Sequence, residues 1–250
     1  MFHLRGLKKL LIVQARLFLR EPMALFFALL FAPMMLVLMG FIFGNAPDPL
    51  LAGRGHLDTY LPTYAALIIG IVGFVAAAIE TTNRRESGVL RRFRATPLRP
   101  ATYIVGDVVV YFAMTMLGVL FLFLLGTVVY RVRFVGNPLA LLAGVCLSTG
   151  AFLSLGYVLA GLAPSVRVAT LVGNLLLYPM VIFSGATVPL EVMPEAAQKI
   201  SRFVPLSYVA TLLRGLWFGE PFRDHWVSVA VLFGILVVGT TIAAWTFRWE

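Results

Sequence analysis

The chain has 250 residues, of which 60% are apolar and only 12% charged, about half the charged share of a soluble domain. So few charges cannot cover a water-facing surface of this size, which excludes a soluble enzyme, a disordered regulator and a secreted scaffold held by disulfides, the single Cys146 having no partner for a bridge. In so apolar a chain the net charge of +9 points to cytoplasmic loops and anionic lipid, not to nucleic acid.

Residues 2–20, FHLRGLKKLLIVQARLFLR, come first. At helical spacing Arg5, Lys8, Lys9, Arg16 and Arg20 fall within one arc of about 120°, with Leu4, Leu7, Leu10, Leu11, Leu17 and Phe18 opposite. Ile12 and Leu19 interrupt the basic arc, and Gln14 lies on the apolar face. The pattern predicts an amphipathic helix over 1–22 lying in the membrane surface, which Glu21-Pro22 ends by turning the chain inward. It serves either as an anchor that sets topology or as a platform touched by a cytoplasmic partner.

Six stretches free of Asp, Glu, Lys and Arg through their middles follow, near 23–44, 60–80, 102–130, 139–163, 168–189 and 226–247. Each has about the 20 apolar residues a helix needs to cross a bilayer. None alternates with period two, which excludes a transmembrane barrel. The expected fold is therefore an all-α integral membrane protein whose residues 23–250 form a domain of six transmembrane helices. The first span lacks a cleavage site and is expected to be retained. With the N-terminus inside, the inner segments hold 13 Lys and Arg and the outer segments seven. That bias puts both termini in the cytoplasm.

The inner loop after the second span, 81–100, is dense in arginine. Asn83 and Glu86 are spaced as a capping box, predicting a short helix from there to Ala95, ended by Thr96-Pro97. Leu90 and Phe93 share one face, among Arg84, Arg85, Arg91, Arg92 and Arg94. Two apolar knobs in a field of guanidinium groups suit a groove with an acidic rim on a water-soluble protein. A plain stop-transfer cluster would need the positive charge but not Glu86, Ser87-Gly88 or the Thr-Pro terminator.

The acids nearest membrane depth, Glu80 and Asp107, are expected at the inner rim, solvated or paired with a loop arginine. Between spans five and six the segment 190–220 carries a polar helical run and then an apolar stretch, 203–219, too short to cross. Broken helices dipping into the outer leaflet fit this pattern. Pro205, Ser207, Tyr208, Thr211 and Arg214 are the candidate residues of a gate there. No phosphate-binding G-x-x-x-x-G-K-[ST] loop, metal-ligand spacing or Ser–His pair occurs within the spans, so no catalytic residue and no metal or cofactor site is expected in this chain.

The run Arg85-Glu86-Ser87-Gly88-Val89-Leu90-Arg91-Arg92-Phe93-Arg94-Ala95-Thr96-Pro97-Leu98 resembles the E-x-G-x-L-x-R-x-x-x-T-P-L signature of ABC-2 type transporter permeases. The segment 183–220, FSGATVPLEVMPEAAQKISRFVPLSYVATLLRGLWFGE, is similar to the stretch these permeases carry after span five. The resemblance covers the whole chain. It implies that residues 2–20 are an interface helix and that the loop around Glu86–Arg94 is a coupling helix receiving motion from an ATPase subunit. It also implies re-entrant helices between spans five and six and a place in the cytoplasmic (inner) membrane of a bacterium or archaeon. The partners implied are two copies of a cytoplasmic ABC ATPase, which carry the ATP and Mg, and a second permease copy or paralogue. The resulting expectation is export of a hydrophobic or amphipathic drug or lipid. The alternatives are a polysaccharide or glycolipid exporter and a secondary carrier with no ATPase.

Overall fold

The computed structural model describes residues 14, 16, 25–48, 53–88, 100–185 and 193–246. Helices dominate, as they must where lipid offers no hydrogen bonds and each segment satisfies its own backbone. A π-helical turn, Phe26–Leu30, runs into helix α1, Phe31–Phe43, which stops at Gly44 with φ +66°. A short antiparallel pair, β1 (Pro47–Asp48) and β2 (Arg54–Gly55), sets Pro47 opposite Gly55 and Asp48 opposite Arg54. Helix α2 follows, His56–Glu86, 31 residues long, with a π-helical middle at Ile69–Ala76.

Helices α3 (Pro100–Val129), α4 (Pro138–Leu162) and α5 (Val166–Phe183) come next. Two short helices, α6 (Glu195–Ser201) and α7 (Pro205–Trp217), precede a 3₁₀ turn at Phe222–His225 and the last helix, α8 (Trp226–Thr246). The starts are written in the sequence. Asn137 caps α4 by accepting from the Leu139 and Ala140 N–H groups at 2.8 and 3.4 Å, ahead of Pro138 in the first turn. Ser165 caps α5 through the Val168 N–H at 3.3 Å.

Of the six expected spans, five correspond to helices of crossing length among the described residues: α2, α3, α4, α5 and α8 with its 3₁₀ turn. The remaining apolar helix, α1, has 13 residues and ends at Gly44, whose φ is +66°. Helix α2 also extends beyond its expected span of 60–80 at both ends.

α2 is the buried axis of the bundle. Leu57, Leu61, Ile68, Ile69 and Val72 are fully buried, with Phe152 of α4 and Leu206 and Leu213 of α7 against them. Helices α5 and α8 present most of their surface outward. Backbones approach closely at small residues, as in lipid they must where packing replaces the hydrophobic drive. Gly156 of α4 lies against the Gly73 and Phe74 backbone of α2, and Gly239 of α8 lies against Ser154 of α4. Ser154 adds a hydrogen bond to the Ile235 carbonyl at 3.2 Å.

The bundle has two distinct ends. One gathers the end of α2 at Gly88, the α4–α5 turn and the end of α8. The other gathers the β pair, the α3–α4 turn and Trp217, whose indole N–H donates to the Arg133 carbonyl at 3.1 Å. There Phe43, His56 and Tyr60 stack in sequence, with ring centroids 4.5 and 4.4 Å apart.

Of the N-terminal segment only Gln14, buried, and Arg16, exposed, are among the described residues, both in helical conformation. Arg5, Lys8, Lys9 and Arg20 lie outside the described residues, as do Leu90, Arg91, Arg92, Phe93 and Arg94.

Candidate functional site

The last two turns of α2 carry the densest polar chemistry in the described bundle. The helix closes with the Ser87 N–H on the Asn83 carbonyl at 2.9 Å and the Gly88 N–H on the Arg85 carbonyl at 3.1 Å. Gly88 itself has φ +71°, the left-handed geometry that glycine supplies at a helix end. Three consecutive residues just before this stop point to three different neighbours, since each helical position turns about 100° from the last.

Arg84 reaches α3. Its guanidinium donates to the Glu80 carboxylate at 2.8 Å, one turn back, and to the Asp107 carboxylate across the helix pair. The Tyr157 hydroxyl of α4 donates to the other Asp107 oxygen at 2.9 Å. Asp107 is 1% exposed and Arg84 6%, so each ion is held where an unmatched charge would be severely penalised. The Asn83 amide completes the Glu80 carboxylate at 3.2 Å.

Arg85 reaches the end of α4, donating to the Ala160 carbonyl at 2.9 Å and to the Ala163 carbonyl. Both belong to the last turn and cap of that helix, where carbonyls lack intrahelical partners and the dipole favours a cation. Glu86 reaches α5, accepting from the Val166 N–H at 3.1 Å. That is the first N–H of the helix, where the dipole favours an anion. The end of α2 therefore grips the α4–α5 turn from both sides with opposite charges, and grips α3 through a buried ion pair.

This arrangement corrects two sequence expectations. Asn83 and Glu86 do not form a capping box. The helix begun at His56 runs straight through them, the Asn83 amide turns to Glu80, and the Glu86 carboxylate is taken by α5. Asp107 is not solvated at a rim but buried, although its partner is, as expected, an arginine of this segment. Sequence reasoning missed Tyr157 altogether. Its one signal was a hydroxyl-bearing ring in an apolar span, which needs a partner when buried. Ser87 stays local, its hydroxyl donating to the Arg84 carbonyl at 3.3 Å.

At the opposite end Pro205 opens α7 in its first turn, where its missing N–H does no harm. The Ser207 hydroxyl donates to the Phe183 carbonyl at the end of α5, 3.1 Å away, and the Tyr208 hydroxyl to the Arg202 carbonyl at 2.5 Å. Ser207, Tyr208 and Thr211 line one chamber of about 350 Å³ between α6, α7 and the start of α8. Pro205 and Arg214 are not among its described lining residues. Along the outward face of α5, Arg167, Thr170, Asn174 and Tyr178 recur at helical spacing beside an open groove of about 640 Å³. The Thr170 hydroxyl and the Asn174 amide are satisfied within the helix, each at 2.9 Å.

The family model of the ABC-2 type transporter matches residues 6–218. Nodulation protein J of Rhizobium leguminosarum bv. viciae is 36% identical over 88 residues, which is 35% of this chain and 34% of that protein. The alignment thus spans about a third of that relative's own length. Nodulation protein J of Neorhizobium galegae is 24% identical over 213 residues, 76% of this chain and 79% of its own. YvfS of Bacillus subtilis (strain 168), described as a transport permease, is 24% identical over 201 residues, 78% of this chain and 77% of its own. With several apolar helices of crossing length and a family match over most of its length, this multi-pass membrane protein belongs to the ABC-2 type transporter family.

Proposed function

We propose that this chain is the permease subunit of an ABC exporter that moves a hydrophobic or amphipathic drug or lipid outward. The observation that carries the proposal is the grip of Arg84, Arg85 and Glu86 on three neighbouring helices immediately before the helix end at Gly88. A push on the segment after Gly88 is delivered to α3, α4 and α5 together, because the last turn of α2 is tied to each. Residues Leu90, Arg91, Arg92, Phe93 and Arg94, just beyond, are the docking surface for two ATPase subunits that hold ATP and Mg. Residues 2–20 serve as an interface helix at the cytoplasmic surface, with both termini inside and the stretch from 23 to 44 forming the first of six spans of an inner-membrane protein.

The polar stripe on the outward face of α5 supports a pathway shared with a second permease copy or paralogue. Polar side chains on a lipid-facing helix are costly unless they face water or protein. A secondary carrier is disfavoured by Asp107, which is closed off by Arg84 and Tyr157 rather than open to a proton path. ATP drives transport only if the permease conformations bind the closed ATPase dimer differently.

The test is co-expression with the candidate ATPase, purification of the complex and measurement of cargo-stimulated ATP hydrolysis in liposomes. Glu86→Ala is expected to lower stimulation several-fold while the complex still assembles. Full stimulation in that variant, or uphill transport by the permease without any ATPase, would overturn the assignment.

A further inference from the structure

The chamber between α6, α7 and α8 has a chemistry that selects its occupant. Three of its hydroxyls have committed protons. Ser201 donates to the Gln198 carbonyl at 2.8 Å, Ser207 to the Phe183 carbonyl at 3.1 Å and Tyr208 to the Arg202 carbonyl at 2.5 Å. Each therefore offers only lone pairs to anything inside. Two others, Thr211 and Ser228, have no hydrogen-bond partner among the described residues and can rotate to donate or accept. Arg202 adds a guanidinium at the wall, and among the described residues no carboxylate pairs with it.

A bare phosphate needs donors only and would leave the three committed oxygens facing an anion. A hydrocarbon chain would leave Thr211, Ser228 and the Arg202 guanidinium without partners, at the penalty of covering polar atoms without hydrogen bonds. A neutral group bearing several hydroxyls meets both halves of the wall: its O–H groups find the committed oxygens, and its oxygens find Thr211, Ser228 and Arg202. The volume, about 350 Å³, sits at the small end of the range of about 300–1,000 Å³ for small-molecule sites. The level is also informative. Ser228 lies in the first turn of α8, two residues from Trp226, which is 68% exposed. An exposed tryptophan at the end of a span marks the headgroup layer. Phe203, 88% exposed on the turn that carries Arg202, gives apolar surface next to the mouth.

We infer that this chamber binds the hydroxyl-bearing, sugar-like headgroup of a lipid drawn from the leaflet at the Trp226 end. The inference specifies a headgroup class for an amphipathic ligand and rests on the exporter reading only in calling that leaflet the outer one. Occupancy of the chamber would hold α6 and α7 apart from the start of α8, so the two short helices would respond to the presence of a headgroup.

The test uses the full chain in phosphatidylcholine nanodiscs with an equal, small mole fraction of glucosyl-diacylglycerol or of phosphatidic acid, and native mass spectrometry to count the lipids retained on release. Glucosyl-diacylglycerol is expected to be enriched about tenfold over phosphatidylcholine, and the double variant Thr211→Val with Ser228→Ala to abolish that enrichment. Both replacements match or reduce side-chain volume, and Arg202→Gln, at an exposed position, provides a second variant expected to weaken retention less. Preferential retention of phosphatidic acid, lost in Arg202→Gln, would overturn the inference in favour of an anion site. Equal retention of all lipids, or enrichment indifferent to the double variant, would overturn it as well. No ATPase enters this measurement, so its failure leaves the exporter reading standing, and failure of the coupled hydrolysis assay leaves the binding result intact.

Discussion

Glu86 and Val166 stand eighty positions apart in the chain, and the carboxylate of one accepts the backbone N–H of the other at 3.1 Å. The bond fixes the start of α5 to the end of α2, beside the Arg85 bonds that fix the end of α4. A charge at a helix terminus stabilises by only about 0.3–1 kcal/mol. Its consequence is therefore in geometry more than in folding.

Glu86→Ala is accordingly expected to shift the melting temperature by no more than about 3 °C for a domain this size, while coupled ATP hydrolysis falls several-fold. Glu86→Gln keeps an oxygen acceptor and is expected to retain most of the coupling. Parallel thermal unfolding and hydrolysis assays on the two variants check this. A large loss of stability in the alanine variant would show the bond to be mainly structural.

The Asp107 carboxylate is fully enclosed between Arg84 and Tyr157. Asp107→Ala leaves the Arg84 charge with Glu80 alone in a buried setting, and is expected to destabilise by about 3–5 kcal/mol. Tyr157→Phe removes one hydrogen bond to a charged group, for a loss of about 1.5–3 kcal/mol. Replacing Arg84 by Met together with Asp107→Ala and Glu80→Gln removes all three charges and is expected to recover much of the stability. Fluorescence-detected unfolding in detergent would rank the three, and an Asp107→Ala protein as stable as the parent would contradict the pairing.

A methyl group on Gly156 would sit 2.5 Å from the Gly73 carbonyl oxygen and 2.9 Å from that of Phe74. Both contacts are backbone and cannot swing away. Gly156→Ala is therefore expected to destabilise by about 1–3 kcal/mol through forced separation of α2 and α4. Gly234→Ala on α8, with nothing within 4 Å of the added carbon, is expected to be neutral or to stabilise by up to about 1 kcal/mol. The pair of variants separates crowding from the general effect of removing a helical glycine.

Thr211 is exposed and Ser207 buried on the same chamber wall. In a background with Cys146 replaced by Ala, a cysteine at 211 is expected to react readily with an external thiol reagent. One at 207 should do so only when α6 and α7 move. Labelling at 207 that rises or falls between ATP-bound and nucleotide-free complexes supports a gate at this end; identical labelling in both states argues against it.

The chain announced its helices because lipid leaves so little choice: a run such as 168–189, without a charge, can do little other than cross. Pro205 carried a signal that the sequence reading left unused, since a proline within an apolar run can open a helix, and α7 begins there. The polar grip at the Gly88 end was only half visible. Asp107 stood out as an acid inside a span, and Arg84 was one of several arginines nearby. Which arginine would meet it, and that Tyr157 would close the other side, depends on how α2, α3 and α4 pack. Asn83 and Glu86 misled because a spacing of three also fits the last turn of a helix that is already running. Nothing local separated the two cases, since Thr81 and Thr82, both buried, do not interrupt the helix.

The π-helical middle of α2, Ile69–Ala76, sets the rotational phase between its two halves. Each turn there takes in more residues than an α-turn, so the second half is rotated relative to where an unbroken α-helix would carry it. Excising one residue within 69–76 is absorbed by tightening those wide turns, but excising one from the α-helical stretch that follows, at 77–79, would swing everything beyond by about 100°. Arg84, Arg85 and Glu86 would then each face the wrong neighbour. A one-residue deletion in that α-helical stretch is thus a change of address for three side chains, and no substitution at those three positions could undo it.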